Sequence, residues 1–137
     1  MLGKAILLWE EGYAVSYDTD KWNRRRHHLD GDVRKQLVTL CRRSRACVLG
    51  WPRDWRPQQV KHPTSGEWFT ERGAWHFIAE LLDAGHPAET IVLTDPPSKT
   101  AYVLHVSVGP GTPNIYIKVQ LGSGEVIGRS FHYSEIY

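Results

Sequence analysis

Five side chains suited to acid-base chemistry lie close together near the C-terminal end of this 137-residue chain. They are a phenol, an ammonium, a guanidinium, a hydroxyl and an imidazole, carried by Tyr116, Lys118, Arg129, Ser130 and His132. An imidazole changes its charge near neutral pH, so it can serve as a base or as an acid. Cationic side chains can stabilise a developing negative charge, and a phenol can donate a hydrogen bond to a phosphate. The set therefore favours cleavage of a phosphodiester without a metal.

Three strand-like segments must position these side chains. They span residues 101–108, 115–121 and 125–133, and turn-forming GPGTPN and GSG sequences join them. We expect them to form an antiparallel meander. Because side chains alternate across a strand, Ile117 and Val119 belong to the core face, while Tyr116 and Lys118 belong to the other face. The same alternation places His105 beside Tyr116 on the polar face.

The register of the last two strands depends on the GSG turn. A three-residue loop puts Leu121 opposite Glu125. In that register Tyr116 lies beside Ser130, and His132 is a diagonal neighbour of Tyr116.

Strict alternation along the last strand would bury Arg129 beside Phe131, and an unpaired buried guanidinium is costly. A bulge at Gly128 would instead turn Arg129 onto the polar face and shift the register beyond it.

Two helices are predicted ahead of these strands. Asp30 or Asp32 can cap a helix through VRKQLVTLCRRS, and Thr70 can cap an apolar-striped helix that ends at Gly85. Weaker patterns predict a short helix after Pro87, a basic helix after Asp18 or Asp20, and a hairpin within residues 4–17. Residues 50–67 contain three Pro and two Gly and are predicted to be a long connection.

The whole pattern predicts a single α+β domain over residues 1–137, with helices packed on a small antiparallel sheet. Its 41% hydrophobic and 23% charged residues are ordinary for a globular protein. Neither a membrane-spanning run nor a signal peptide is apparent, which indicates a cytoplasmic protein. Cys41 and Cys47 match neither a zinc motif nor a disulfide framework, so we expect two reduced structural thiols. Oligomeric state is left open.

Basic charge is concentrated in the N-terminal part. Residues 1–68 carry 13 Lys/Arg against 8 Asp/Glu, whereas residues 69–137 carry 4 against 7. Such clustering suits a polyanion, and Arg42 and Arg43 are candidate substrate-binding residues. The other interpretation is a solvated helix face. The chain has no HExxH motif, no paired-carboxylate cluster and no glycine-rich phosphate loop, so we expect neither a metal nor a cofactor.

The C-terminal half, with IYIKVQLGSGEVIGRSFHYS at its end, resembles the MqsR branch of the RelE-like bacterial toxins over roughly residues 70–135. The resemblance implies a RelE-like sheet and a metal-independent endoribonuclease that cleaves RNA and is neutralised by a cognate antitoxin protein. It also implies that Tyr116 and His132 belong to the active site, and it offers Lys99 as a further basic residue. Residues 1–60 have no counterpart in that family.

Two other classes of function stay open. The first is a non-catalytic module that binds single-stranded nucleic acid through phosphate contacts and through base stacking on Trp51, Trp55 or Trp68. The second is a small protein regulator or inhibitor whose basic arm docks on an acidic partner. Dependence on pH would indicate catalysis by His105 or His132, whereas dependence on salt would indicate binding to phosphates.

Overall fold

The computed structural model describes residues 29–94 and 96–134. Within these ranges the helices are α1 (Gly31–Cys41) and α2 (Glu71–Asp83), and the strands are β1 (Cys47–Trp55), β2 (Glu89–Thr94), β3 (Pro97–Val106), β4 (Ile115–Leu121) and β5 (Val126–Tyr133). Short 3-10 turns at Ser44–Ala46 and Pro57–Gln59 flank β1. The strands form one sheet in the order β1-β5-β4-β3-β2. β1 runs parallel to β5, and every other pair is antiparallel.

The predicted α+β class is confirmed, but the sheet is larger than expected and mixed. The long connection predicted over residues 50–67 was wrong in its first part, because β1 extends through residue 55 despite Pro52. The short helix predicted after Pro87 was also wrong. That segment is β2, whose ETIVLT sequence is rich in the β-branched residues that favour strands.

Side-chain caps begin both helices where the sequence predicts. The Asp30 carboxylate accepts hydrogen bonds from the backbone N–H groups of Asp32 and Val33. The Thr70 hydroxyl accepts one from the backbone N–H of Gly73. Each cap satisfies amide donors that the first turn of a helix leaves without a partner.

The helices cover one face of the sheet. The core contains Leu37 of α1 and Ile78 of α2, packed in one cluster with Leu104, Ile117 and Phe131 from the sheet. These strand residues belong to the set that alternation assigned to the core, so the opposite face is left for the polar side chains.

The register between β4 and β5 differs from the prediction. Leu121 pairs with Val126 rather than with Glu125, because the loop takes in four residues and closes with a hydrogen bond from Gly122 N to Glu125 O. The register then shifts, since Val119 pairs with Gly128 but Lys118 pairs with Ser130. Arg129 is thus an extra, bulged residue, as the alternative interpretation of its burial predicted.

The two cysteines are free thiols, as predicted. Burial raises the pKa of Cys41 to about 12, and the neighbouring Cys47 adds to that rise. The Cys47 sulfur lies 3.3 to 3.5 Å from the carbonyl oxygens of Leu40, Cys41 and Arg43, which can accept its S–H.

Two sequence predictions, the hairpin in residues 4–17 and the basic helix that follows it, lie outside the described residues. No helix in the described part of the chain is long and apolar enough to cross a membrane.

A substitution at Gly128 can test the close contact between β1 and β5. A Cβ at this position would lie 2.7 Å from Trp55 Cζ3 and 2.9 Å from Leu49 Cδ2. We expect Gly128→Ala to lower the free energy of unfolding by about 1 to 3 kcal/mol, the usual cost of overpacking a core. The measurement is urea unfolding.

Gly31→Ala is the matched control for this prediction. Nothing lies within 4 Å of the Cβ that it would add. We expect it to leave stability unchanged or to raise it by up to about 1 kcal/mol. Equal effects of the two substitutions would contradict the packing of β1 against β5.

Candidate active site

Three aromatic side chains form a row across the middle of the polar face. His105 of β3 pairs directly with Tyr116 of β4, and Tyr116 pairs directly with His132 of β5. The His105 and Tyr116 ring centroids are 5.5 Å apart, and those of Tyr116 and His132 are 5.4 Å apart. The three residues therefore lie on one face of the sheet, as the sequence predicts. His132, however, lies directly opposite Tyr116, whereas the sequence predicted a diagonal position.

A carboxylate adjoins each imidazole. Glu89 Oε1 on β2 lies 3.7 Å from His105 Nε2, and Asp54 Oδ2 on β1 lies 3.3 Å from His132 Nε2. The order across the sheet is carboxylate, imidazole, phenol, imidazole, carboxylate. One residue from each of the five strands contributes to this cluster, which we call the His–Tyr–His row with its two carboxylates.

Asp54 is fixed by its neighbours in the chain. Arg56 Nε lies 2.7 Å from Asp54 Oδ1, and Arg56 Nη2 donates to Asp54 Oδ2 at 2.9 Å. The backbone N–H of Arg56 donates to Phe131 O, which holds the end of β1 against β5, and Trp55 Nε1 donates to Glu71 of α2. Asp54 thereby lies within reach of His132.

The backbone sets the tautomer of His132. Its Nδ1 lies 2.8 Å from the carbonyl oxygen of Tyr133. A carbonyl oxygen can only accept, so Nδ1 must carry a proton in both charge states of the ring. The other ring nitrogen, Nε2, faces Asp54.

Tyr116 is held in its neutral form. Burial raises the pKa of the phenol, and the negative charge of Glu89 raises it further. Tyr116 is thus a hydrogen-bond donor at neutral pH and is unsuited to act as a base. A neutral phenol can donate a hydrogen bond to a phosphate, and that role of Tyr116 stays a prediction from the sequence.

The next row of the sheet places Lys118 and Ser130 beside the aromatic residues. Lys118 pairs with Ser130, and Ser130 pairs with Asp54 in β1. Side chains directly opposite one another on neighbouring strands have Cβ atoms about 5 Å apart. Lys118 therefore lies on the same face as Tyr116, one row further along the sheet.

Arg129 lies on the polar face but is engaged away from the imidazoles. Its guanidinium is buried, donates to Gln120 Oε1 from both Nε and Nη2, and donates from Nη1 to the carbonyl oxygens of Trp51 and Pro52. These bonds use four of its five N–H donors. Arg129 therefore contacts the backbone of β1, and the catalytic role expected from the sequence stays a prediction.

Three predicted substrate-binding residues lie apart from the cluster. Arg42 and Arg43 follow α1 in the helical layer, and Arg42 pairs there with Asp83 at 3.4 Å. Lys99 lies six residues from His105 along β3, which places it about 20 Å away.

Sequence reasoning missed Asp54 and Glu89. Both belong to segments whose secondary structure was wrongly predicted, so neither carboxylate could be aligned with a histidine. The β-branched run after Glu89 was the available indication for β2. In the part of the chain that the structure describes, no group of three or more His, Cys, Asp or Glu side chains could hold a metal ion.

Comparisons with models of known protein families, with curated proteins and with solved structures gave no match.

The electrostatic coupling between Tyr116 and Glu89 can be measured directly. Removing the charge with Glu89→Gln should lower the pKa of Tyr116, which stays above its ordinary value because burial is the larger cause. The measurement is phenolate absorbance during alkaline titration, with Tyr116→Phe to identify the signal. Glu80→Gln, at an exposed position of α2, should leave this titration unchanged. An identical Tyr116 titration in Glu89→Gln would contradict the described site.

Proposed function

We propose that this protein is a metal-independent endoribonuclease of the RelE-like toxin type, which acts in the cytoplasm and is neutralised by a cognate antitoxin. The observation that carries the proposal is the His–Tyr–His row with a carboxylate beside each imidazole. Two imidazoles flanking a neutral phenol supply a base, an acid and a hydrogen-bond donor on one half-buried row of the sheet.

RNA cleavage by the 2′-hydroxyl requires one group to accept its proton and another to donate a proton to the leaving oxygen. His105 and His132 lie on strands separated only by β4, so their backbones are about 10 Å apart. In this proposal the phosphate binds over Tyr116, between the two imidazoles, and each Nε2 exchanges its contact with a carboxylate for one with a substrate oxygen.

Each neighbouring group has a role in this proposal. Tyr116 donates a hydrogen bond to a phosphate oxygen, and Lys118 stabilises the negative charge that develops there. Asp54 and Glu89 each lie beside an Nε2, where their negative charge stabilises the protonated imidazole. The 3.3 Å contact between Asp54 and His132 is longer than a close charge-assisted bond, so a substrate oxygen can replace it.

The family resemblance supports the same two residues. It implies Tyr116 and His132 as active-site residues, and these two side chains are in contact across β4 and β5. Lys99 lies too far away to take part, whereas Lys118 is close enough to supply the positive charge. Asp54 comes from the N-terminal segment for which the resemblance offers no counterpart, and so it would be a feature particular to this chain.

A second candidate is a non-catalytic module that binds single-stranded nucleic acid. It is favoured by two exposed indoles that each lie against a cation: Arg53 over Trp51 at 3.9 Å and Lys61 over Trp68 at 4.9 Å. Trp55 does not belong to this set, because it packs on Trp75 and donates to Glu71.

The two candidates differ in what His132→Ala changes. If the protein is a ribonuclease, single-turnover cleavage of labelled single-stranded RNA in excess EDTA should fall about 10²- to 10⁴-fold, the usual contribution of a general acid or base. The wild-type rate should follow a bell-shaped dependence on pH, because one imidazole must be neutral and the other charged. His76→Gln, at an exposed position of α2, should retain full activity.

Intact RNA that is nevertheless retained by the wild-type protein would favour the binding module. Cleavage that EDTA abolishes, or equal cleavage by wild type and His132→Ala, would reject the acid-base mechanism proposed for this face.

A further inference from the structure

Trp51 presents an indole to solvent on the bulged part of β1. Its exposed fraction is 73%, the highest among the exposed large hydrophobic residues of the described chain. The guanidinium carbon of Arg53 lies 3.9 Å from the ring centroid, over one face of the indole. An indole stacked on a guanidinium is a common platform for nucleobases, because it combines a flat apolar surface with a positive charge.

The backbone that carries Trp51 is held rigidly. Arg129 Nη1 donates to the carbonyl oxygens of Trp51 at 2.6 Å and Pro52 at 3.2 Å, and the guanidinium is itself fixed by Gln120. Gly50 allows this approach, since a Cβ there would lie 2.9 Å from Arg129 Cζ and 2.7 Å from Ile127 Cγ2. A buried arginine thus fixes a segment whose side chains are exposed. Such preorganisation lowers the entropy cost of binding.

Trp51 lies beside the His–Tyr–His row with its two carboxylates. It precedes Asp54 by three residues, which limits their Cα separation to about 10 Å. Asp54 contacts His132, and the Arg129 side chain that holds Trp51 lies on the same polar face as His132. A nucleotide next to a phosphodiester bound over Tyr116 is therefore within reach of the indole.

We propose that Trp51 and Arg53 form a base-stacking subsite for single-stranded RNA, which holds the nucleotide adjacent to the cleaved bond. The subsite extends the proposed ribonuclease function, on which it rests. Arg53 occupies one face of the indole and the base stacks on the other, while the guanidinium also lies near the RNA backbone. The subsite accepts any of the four bases, because stacking requires only a π face. It requires an unpaired strand, since the bases of a duplex are already stacked.

Trp68 provides a matched control within the same molecule. It is 58% exposed and lies against Lys61, so its local chemistry resembles that of Trp51. The Lys61 backbone N–H, however, donates to the hydroxyl of Tyr133, whose side chain packs against the core, and Trp68 lies two residues before Thr70, the cap of α2. Trp68 therefore belongs to the helical side of the sheet.

The test is the affinity for a single-stranded oligonucleotide with 2′-O-methyl groups, which cannot be cleaved by 2′-hydroxyl attack, measured by fluorescence anisotropy. Trp51→Ala should weaken binding roughly 5- to 150-fold, corresponding to the loss of one base stack. Trp51→Phe should recover part of the affinity, because it restores an aromatic face. Trp68→Ala should change binding by less than about twofold, since it lies outside the proposed path of the strand.

Cleavage of the unmodified strand separates this subsite from the ribonuclease proposal. Wild-type binding that depends on Trp51 without any cleavage would support the subsite and reject the catalyst. Cleavage that is unaffected by Trp51→Ala, together with equal affinities of wild type, Trp51→Ala and Trp68→Ala, would overturn the subsite alone. The absence of any binding by the wild-type protein, or equal Trp51 dependence for a duplex, would also overturn it.

Discussion

A single extra residue in β5 determines which side chains the polar face presents. Gln120 pairs with Ile127 and Val119 with Gly128, and if that register continued, Tyr116 would lie opposite Phe131. Because side chains alternate, His132 would then point into the core and Phe131 into solvent. The bulge at Arg129 reverses both, so that Phe131 is fully buried and His132 meets Tyr116. The candidate site therefore depends on the bulge, because His132 follows it in β5.

The bulge also accounts for the burial of an arginine at the centre of the sheet. Arg129 is 6% exposed, and its hydrogen bonds go to neutral oxygens of Gln120, Trp51 and Pro52. A buried guanidinium is tolerated only when its donors are satisfied. Here the satisfied donors connect β4, β5 and β1. The same interaction that permits the bulge therefore holds the segment that carries Trp51 and leads to Asp54.

The sequence predicts those parts of the structure in which local chemistry and tertiary packing agree. Asp30 and Thr70 cap helices wherever their side chains can reach free amides, and the alternation of Ile115 to Val119 marks a core face in any register. β1 could not be predicted in this way, because Gly50 and Pro52 interrupt its pattern and its partner, β5, is remote in sequence. Asp54 and Glu89, the two carboxylates of the site, could not be predicted either, because they lie on β1 and β2.

The register was the other part that the sequence could not settle. The turn between β4 and β5 contains one residue more than the GSG motif suggests, and the bulge then adds a second offset. Each offset alone would exchange the two faces beyond it, and together they restore the alternation for His132. The polar set of Tyr116, Lys118, Ser130 and His132 was therefore predicted correctly, while the pairs within it were not.

We propose that His105, Tyr116 and His132 act together on one phosphate. The most direct test is an NMR titration of the histidine side chains with a nucleoside 3′-monophosphate, in EDTA and near neutral pH. We predict that the imidazole resonances of His105 and His132 move together with one midpoint, and that Tyr116→Phe weakens the binding of the nucleotide. Binding that shifts His62, His76 or His86 and leaves His105 and His132 unchanged would contradict the claim.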